Sequence, residues 1–92
     1  GFIKIDVEGV ELDVLYGASD TIDEYKPTCM VEVYDKFNKY PVATTFEFFF
    51  KRKYRCFYNH KGQGLKPVRN IQEGVDATKI PEITDGDFLF TI

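Results

Sequence analysis

Apolar and polar residues alternate over residues 2–7, with Ile3, Ile5 and Val7 on one parity and Phe2, Lys4 and Asp6 on the other. A period of two predicts a strand. The run ends in Asp6, Glu8 and Gly9, and a helical spacing begins at once, with Val10, Val14 and Leu15 expected inward over residues 10–16. Gly9 leaves room for a sharp strand-to-helix turn, and Glu8 and Glu11 lie where a helix N-terminus favours negative charge. Gly17 interrupts the helix, and Ser19 is placed to cap a second short one, with Asp20 and Asp23 in its first turns. Across that break Leu15, Ala18, Ile22 and Tyr25 keep a 3-4-3 spacing, which predicts one face held against a sheet. Lys26-Pro27 closes the helical region.

Residues 28–34 alternate again, Cys29, Val31 and Val33 against Met30, Glu32 and Tyr34. Two strands joined by a helical crossover of about twenty residues predict a right-handed parallel βαβ unit. A polar, aromatic-spotted loop follows over residues 35–41. Thr44 and Glu47 have the spacing of a capping box, so a helix is expected to open at Thr44 and to bury Phe46, Phe49 and Phe50. Lys51, Arg52 and Lys53 fall at its C-terminus, where cations suit the helix dipole. Residues 54–59 read as a third strand, 60–64 as a turn and 65–68 as a short return strand. Residues 70–85 read as loop because Pro81 forbids much regularity, and residues 87–92 close the chain as a strand. The expected order is β, α, β, α, β and then an antiparallel return.

The composition fits that reading. Ninety-two residues with 43% hydrophobic and 16% aromatic side chains suffice for one small domain or part of a larger one. The net charge of −3 argues against a nucleic-acid partner, whose footprint is normally basic. No apolar run approaches the roughly 18 residues of a membrane span, and no signal peptide is visible, so the cytoplasm is the expected compartment. Cys29 and Cys56 sit in strand-like apolar runs and are expected as buried, reduced thiols. The chain starts inside a strand without an initiator Met, which points to a fragment.

Candidate chemistry concentrates at one rim. In an open α/β sheet, ligands bind beyond the carboxyl ends of the strands. Asp6 and Glu8 leave the first strand there, Glu32 nears the same end of the second, and Asp35 follows. Such carboxylates can accept a proton, hold a hard cation or grip hydroxyls. The plain alternative is that Asp6 or Glu8 caps the helix and Glu32 pairs with Lys4. His60 is expected as an exposed turn residue, and Tyr34, Phe37 and Tyr40 are open to two readings, lining of a substrate pocket or loop packing.

The string Phe2-Ile3-Lys4-Ile5-Asp6-Val7-Glu8-Gly9, followed by Glu11, Val14-Leu15 and Gly17-Ala18, resembles the middle of the FkbM-type methyltransferases. The likeness continues more loosely through residues 27–34 and 87–92. It implies the C-terminal half of a class I methyltransferase, a Rossmann-like α/β sheet of parallel strands with an antiparallel last strand. Residues 1–92 would then be a partial domain, with strands four to seven at 2–7, 28–34, 54–59 and 87–92. The cofactor would be S-adenosylmethionine, bound mainly by an N-terminal half that is missing here. Gly62-Gln63-Gly64 is no substitute for that half's glycine-rich turn, since it sits in a hairpin.

The resemblance also assigns roles. Asp6 would be the acidic residue beside the methyl donor, both catalytic and cofactor-binding, with Glu8 as a second catalytic position. Glu11, at another acidic position of the family, would bind the substrate, which the resemblance makes a small hydroxyl-bearing acceptor such as a sugar. Glu32 is a substrate-binding candidate from its place at the rim alone, with its pairing to Lys4 still open. Apart from the resemblance, the carboxylate chemistry offers Asp6 with Glu8, or with Glu32, as ligands of a divalent cation such as Mg2+. Two other readings stay open: a non-catalytic α/β interaction module, and a small carboxylate metal-binding domain. A first strand without its natural neighbour is expected to drive self-association through the exposed sheet edge.

Overall fold

The alternation at Cys29, Val31 and Val33 sets the middle of the sheet, because all three side chains are fully buried while Met30 and Glu32 are only half-buried. The computed structural model describes residues 1–5, 11–33, 41–80 and 83–92, and within these the side chains of all but residues 11, 12 and 83–86. The elements in chain order are β1 (Phe2–Ile5), α1 (Glu11–Gly17), α2 (Ser19–Tyr25), β2 (Thr28–Glu32), α3 (Ala43–Phe50), β3 (Arg55–His60), β4 (Gly64–Val68), α4 (Ile71–Ala77) and β5 (Ile83–Thr91).

Five strands form one sheet in the order β1-β2-β5-β3-β4. β1 and β2 are parallel, Phe2 aligned with Thr28 and Ile5 with Val31, as the helical crossover between them requires. β5 lies between β2 and β3 and runs antiparallel to both. β4 pairs antiparallel with β3 across the turn at residues 61–63, where Gly62 and Gly64 take the left-handed φ values of 85° and 76° that glycine tolerates. The sheet is therefore mixed: β1, β2 and β3 run the same way and the last strand runs against them, yet among the described residues only β1 and β2 pair as parallel neighbours and the other pairings are antiparallel. The cause is the insertion of β5. By entering between β2 and β3 it turns what would have been parallel neighbours into two antiparallel pairs.

One hydrophobic cluster joins the sheet to every helix. It contains Ile5, Val31, Cys56 and Val68 from the strands, with Leu15 of α1, Ile22 of α2, Phe46, Phe48 and Phe49 of α3 and Ala77 of α4. The four described helices thus cover a single face. Aromatic rings fill the layer between. Phe46 meets Phe88 edge-on at 5.0 Å, and Phe49 stacks on Phe90 with ring centroids 3.9 Å apart. Arg52 ties α2 to the end of α3: its Nε donates to Asp23 Oδ1 at 2.9 Å, its Nη1 donates to the Phe48 carbonyl at 3.0 Å, and its guanidinium lies 3.8 Å from the Phe48 ring centroid.

Several local expectations are corrected. The third helix opens at Ala43, and Thr44 is no cap; its hydroxyl donates back to the Pro41 carbonyl at 2.6 Å. Its buried stripe is Phe46, Phe48 and Phe49, whereas Phe50 is only half-buried, because the helix is wedged between the sheet and its neighbours α1 and α4. Ser19 likewise donates to the Tyr16 carbonyl instead of capping. Val14 and Tyr25 face solvent, since the short α1 and α2 each reach the core chiefly through one side chain, Leu15 and Ile22. Residues 71–77, read as loop, form α4, whose first turn is capped by Asn70 Oδ1 accepting from the Glu73 amide at 2.9 Å. Val7, Gly9 and Val10 lie outside the described residues.

Both thiols are buried and unbridged, as expected. Burial raises Cys29 from 9.0 to about 11, partly offset by its hydrogen bond with Tyr54. Burial also pushes Cys56 up. Tyr54, whose hydroxyl donates to the Pro27 carbonyl at 2.6 Å, is raised by burial from 10.0 to about 12, with Cys29 adding to the shift. A nucleophile needs a lowered thiol pKa in a partly exposed site, so neither cysteine is one.

Two outcomes follow from this packing. A Cβ at Gly74 would lie 2.7–2.8 Å from the ring carbons of Phe46, which Phe88 and Phe90 hold in place, whereas a Cβ at Gly17 meets nothing within 4 Å. Denaturant melts should show Gly74→Ala losing about 1–3 kcal/mol of stability, and Gly17→Ala gaining up to about 1 kcal/mol. Second, the folded chain holds the Cys29 and Tyr54 protons more tightly than an unfolded chain does. Their contribution is therefore complete below their ordinary values of 9.0 and 10.0 and is lost as pH climbs through about 11 and 12. Thermal melts should fall over that window, and neither thiol should be alkylated at neutral pH without unfolding.

Candidate functional site

Strand direction decides which side chains share a rim. β1, β2 and β3 run the same way and end at Ile5, Glu32 and His60, while β4 starts at that same end and β5 enters there. Ile5 is level with Val31, so Glu32 stands one residue further out on β2, at the mouth of the sheet.

Glu32 is half-buried and directly opposite Asp87 on β5. Directly opposed residues of an antiparallel pair project to the same face, so the two carboxylates sit side by side. They occupy the face that no described helix covers, because Val31 and Phe88, their neighbours in the chain, point into the core. Like charges in this register repel unless other groups answer them, and both side chains are engaged in further interactions. The arrangement offers adjacent carboxylate oxygens of the kind that receive protons, grip hydroxyls or hold hard cations.

Of the residues singled out from sequence, Asp6 and Glu8 lie outside the described residues, as do Tyr34, Asp35, Phe37 and Tyr40. Glu11 is the first residue of α1, and its side chain is likewise outside the description. Lys4 is exposed on β1, level with Met30. His60 is corrected from a turn residue to the last position of β3, half-buried, with its Nδ1 3.0 Å from the Lys61 carbonyl oxygen. It is separated from Glu32 by the whole of β5, about 10 Å at the usual strand spacing. Among the described residues, no three His, Cys, Asp or Glu side chains gather as a metal site.

Asp87 was missed as a site residue. Its only signal is its place in the alternation, outward-facing beside inward Phe88 and Phe90, and its partner in register cannot be read without knowing that β5 inserts next to β2.

No helix among the described residues is long and apolar enough to cross a membrane. The model of the methyltransferase FkbM domain matches residues 1–56. That segment holds β1, α1, α2, β2 and α3, and with them the first strand end and Glu32. No curated protein and no solved structure matches the chain.

Proposed function

The chain belongs to the FkbM methyltransferase family, and from that premise we propose that it is the substrate-side, C-terminal half of an S-adenosylmethionine-dependent methyltransferase domain. The acceptor is a hydroxyl of a sugar or similar polyhydroxylated small molecule. The single observation that carries this reading is the family match over residues 1–56. The antiparallel pairing of β5 with β2 and β3 supports it, and we assign β1, β2, β3 and β5 to strands four to seven of a Rossmann-like sheet, whose seventh strand runs antiparallel.

S-adenosylmethionine supplies a methyl group on a positively charged sulfur. Transfer breaks the sulfur–carbon bond, forms an oxygen–carbon bond and releases the hydroxyl proton, so the chain's task is alignment and proton removal. Asp6, next in the chain after Ile5, is the residue proposed to accept that proton and to face the donor, with Glu8 beside it in the sequence. Glu32 and Glu11 are proposed to hold the acceptor's other hydroxyls. The Glu32–Asp87 pair provides oxygen donors of the type Mg2+ takes, and Asp6 or Glu8 would complete such a set. A bound divalent cation would lower the hydroxyl's pKa.

The remaining half of the domain is the partner proposed for the β1 edge. The two edges of the sheet differ. β4 carries Pro67, which cannot donate to a further strand, whereas β1 has no proline and exposes Phe2 to 60%. The 92 residues alone should therefore self-associate through β1. Sedimentation velocity should show mass rising with concentration, and a monomer at high concentration would count against an open edge.

The catalytic assignment is tested in a protein carrying both halves. Asp6→Ala should lower kcat/KM for methyl transfer by about 100-fold or more and weaken methyl-donor binding in calorimetry. Unchanged turnover would remove Asp6 from the mechanism. Failure of the parent to bind the methyl donor would overturn the function itself.

A further inference from the structure

A cleft of about 380 Å³ opens on the helix-covered side of the sheet, between α4 and the β3–β4 hairpin. Its walls include Tyr58, Lys66, Arg69, Glu73, Asp76 and Ile80. All six lie beyond residue 56, outside the segment that matches the FkbM domain. The cleft therefore belongs to the part of the chain for which the family match assigns nothing.

One feature of the strand pattern marks it as more than a packing gap. Lys66 stands on the same parity as buried Val68 and directly opposite Tyr58, so it points toward the helices where an apolar side chain would be expected. It is half-buried, and among the described residues its ammonium has no hydrogen-bond or ion-pair partner. The facing wall is ordered. Glu73 is held by Arg69, with Arg69 Nε 3.2 and 3.1 Å from its two oxygens and Nη2 2.9 Å from Oε2. Gln72 Nε2 donates to Asp76 Oδ1 at 2.9 Å. The cleft thus sets an ammonium and a phenol hydroxyl against two positioned carboxylates.

That bipolar wall selects among ligands. An anion bound at Lys66 would confront Glu73 and Asp76, and a cation bound at the carboxylates would confront Lys66 and Arg69. Hydroxyl groups satisfy both walls, donating to the carboxylates and accepting from the ammonium. Tyr58 and Ile80 give the apolar surface that the carbon skeleton of a ring needs. We propose that this cleft binds a neutral polyhydroxylated ring and serves as the distal subsite of the acceptor. Its role in the reaction rests on the hydroxylated-acceptor reading above; its binding does not. Glu32 and the Tyr58–Lys66 pair stand two and three strands apart, about 10–15 Å at the usual spacing. The ring held here is therefore not the one that receives the methyl group, and the acceptor is larger than one sugar.

Amide spectra of the protein carrying both halves, titrated with methyl α-D-glucopyranoside and with methyl α-D-mannopyranoside, test the proposal. At least one of them should shift residues of β3, β4 and α4 together. Lys66→Met and Asp76→Asn, each checked for an unchanged melt, should weaken that binding about tenfold. Absence of shifts with both sugars, binding unaltered in both variants, or response only to inorganic phosphate or glycine betaine would overturn it. Turnover separates this from the catalytic reading. Sugar binding without methyl transfer by the two-half protein would sink the proposed function and leave the cleft; transfer insensitive to both variants would do the reverse.

Discussion

The row Cys29–Phe90–Cys56, capped by the ring of Phe49, is the contact on which the rest of the sheet depends. Phe90 lies in register with a cysteine on each side, and Phe49 of α3 stacks over it at 3.9 Å. The cysteines are small enough to leave the width of two aromatic rings between sheet and helix, which gives a packing reason for two buried thiols that do no chemistry. The next row repeats the device with Val31, Phe88 and Tyr58 under Phe46. Each fully buried phenylalanine is worth roughly 2–3 kcal/mol of transfer free energy, and each edge-on or offset pair adds about 1 kcal/mol. These two rows hold β5 between β2 and β3. Without β5 there, Glu32 would have no carboxylate neighbour in register and the β3–β4 hairpin would not join the sheet.

How much of this was legible depends on whether the signal was local. The alternation of Cys29, Val31 and Val33, the breaks at Gly17 and Lys26-Pro27, and the glycine turn before β4 are properties of adjacent residues, and each falls where the pattern places it. The misreadings share a different cause. Thr44 and Ser19 have the composition of caps, yet their hydroxyls found backbone carbonyls three residues earlier, at Pro41 and Tyr16. Phe48 replaced Phe50 on the buried face because three elements converge on α3, which its own periodicity cannot report. α4 was missed because Pro81 lies close by and only Asn70 and Glu73 announce a helix start; Pro81 itself lies outside the described residues. The pairing of Glu32 with Asp87 joins positions 55 residues apart (87 − 32) and was not readable at all.

The same division separates the chemistry. The acidic string at Asp6 and Glu8 is legible because a family signature carries it, and that signature covers residues 1–56. What the remaining residues contribute had to come from geometry. They supply Asp87 to the carboxylate pair on one side of β5, and the cleft at Tyr58 and Lys66 on the other.

Having every described helix on one face has a consequence for how a ligand can be held. Carboxylates that follow the outward parity, such as Glu32 and Asp87, reach the uncovered face, while Lys66 on the inward parity reaches the helical side. A ligand on either flat face alone could meet only one of these sets. Among the described residues, the strand ends are where the two sets come nearest to one another, because there the alternation stops. The position of Tyr58 close to the end of β3, two residues from His60, keeps the cleft near that rim. Under the proposed reading, an extended acceptor crossing the rim would be gripped at one end by the cleft at Tyr58 and Lys66 and would reach Glu32 and Asp87 at the other.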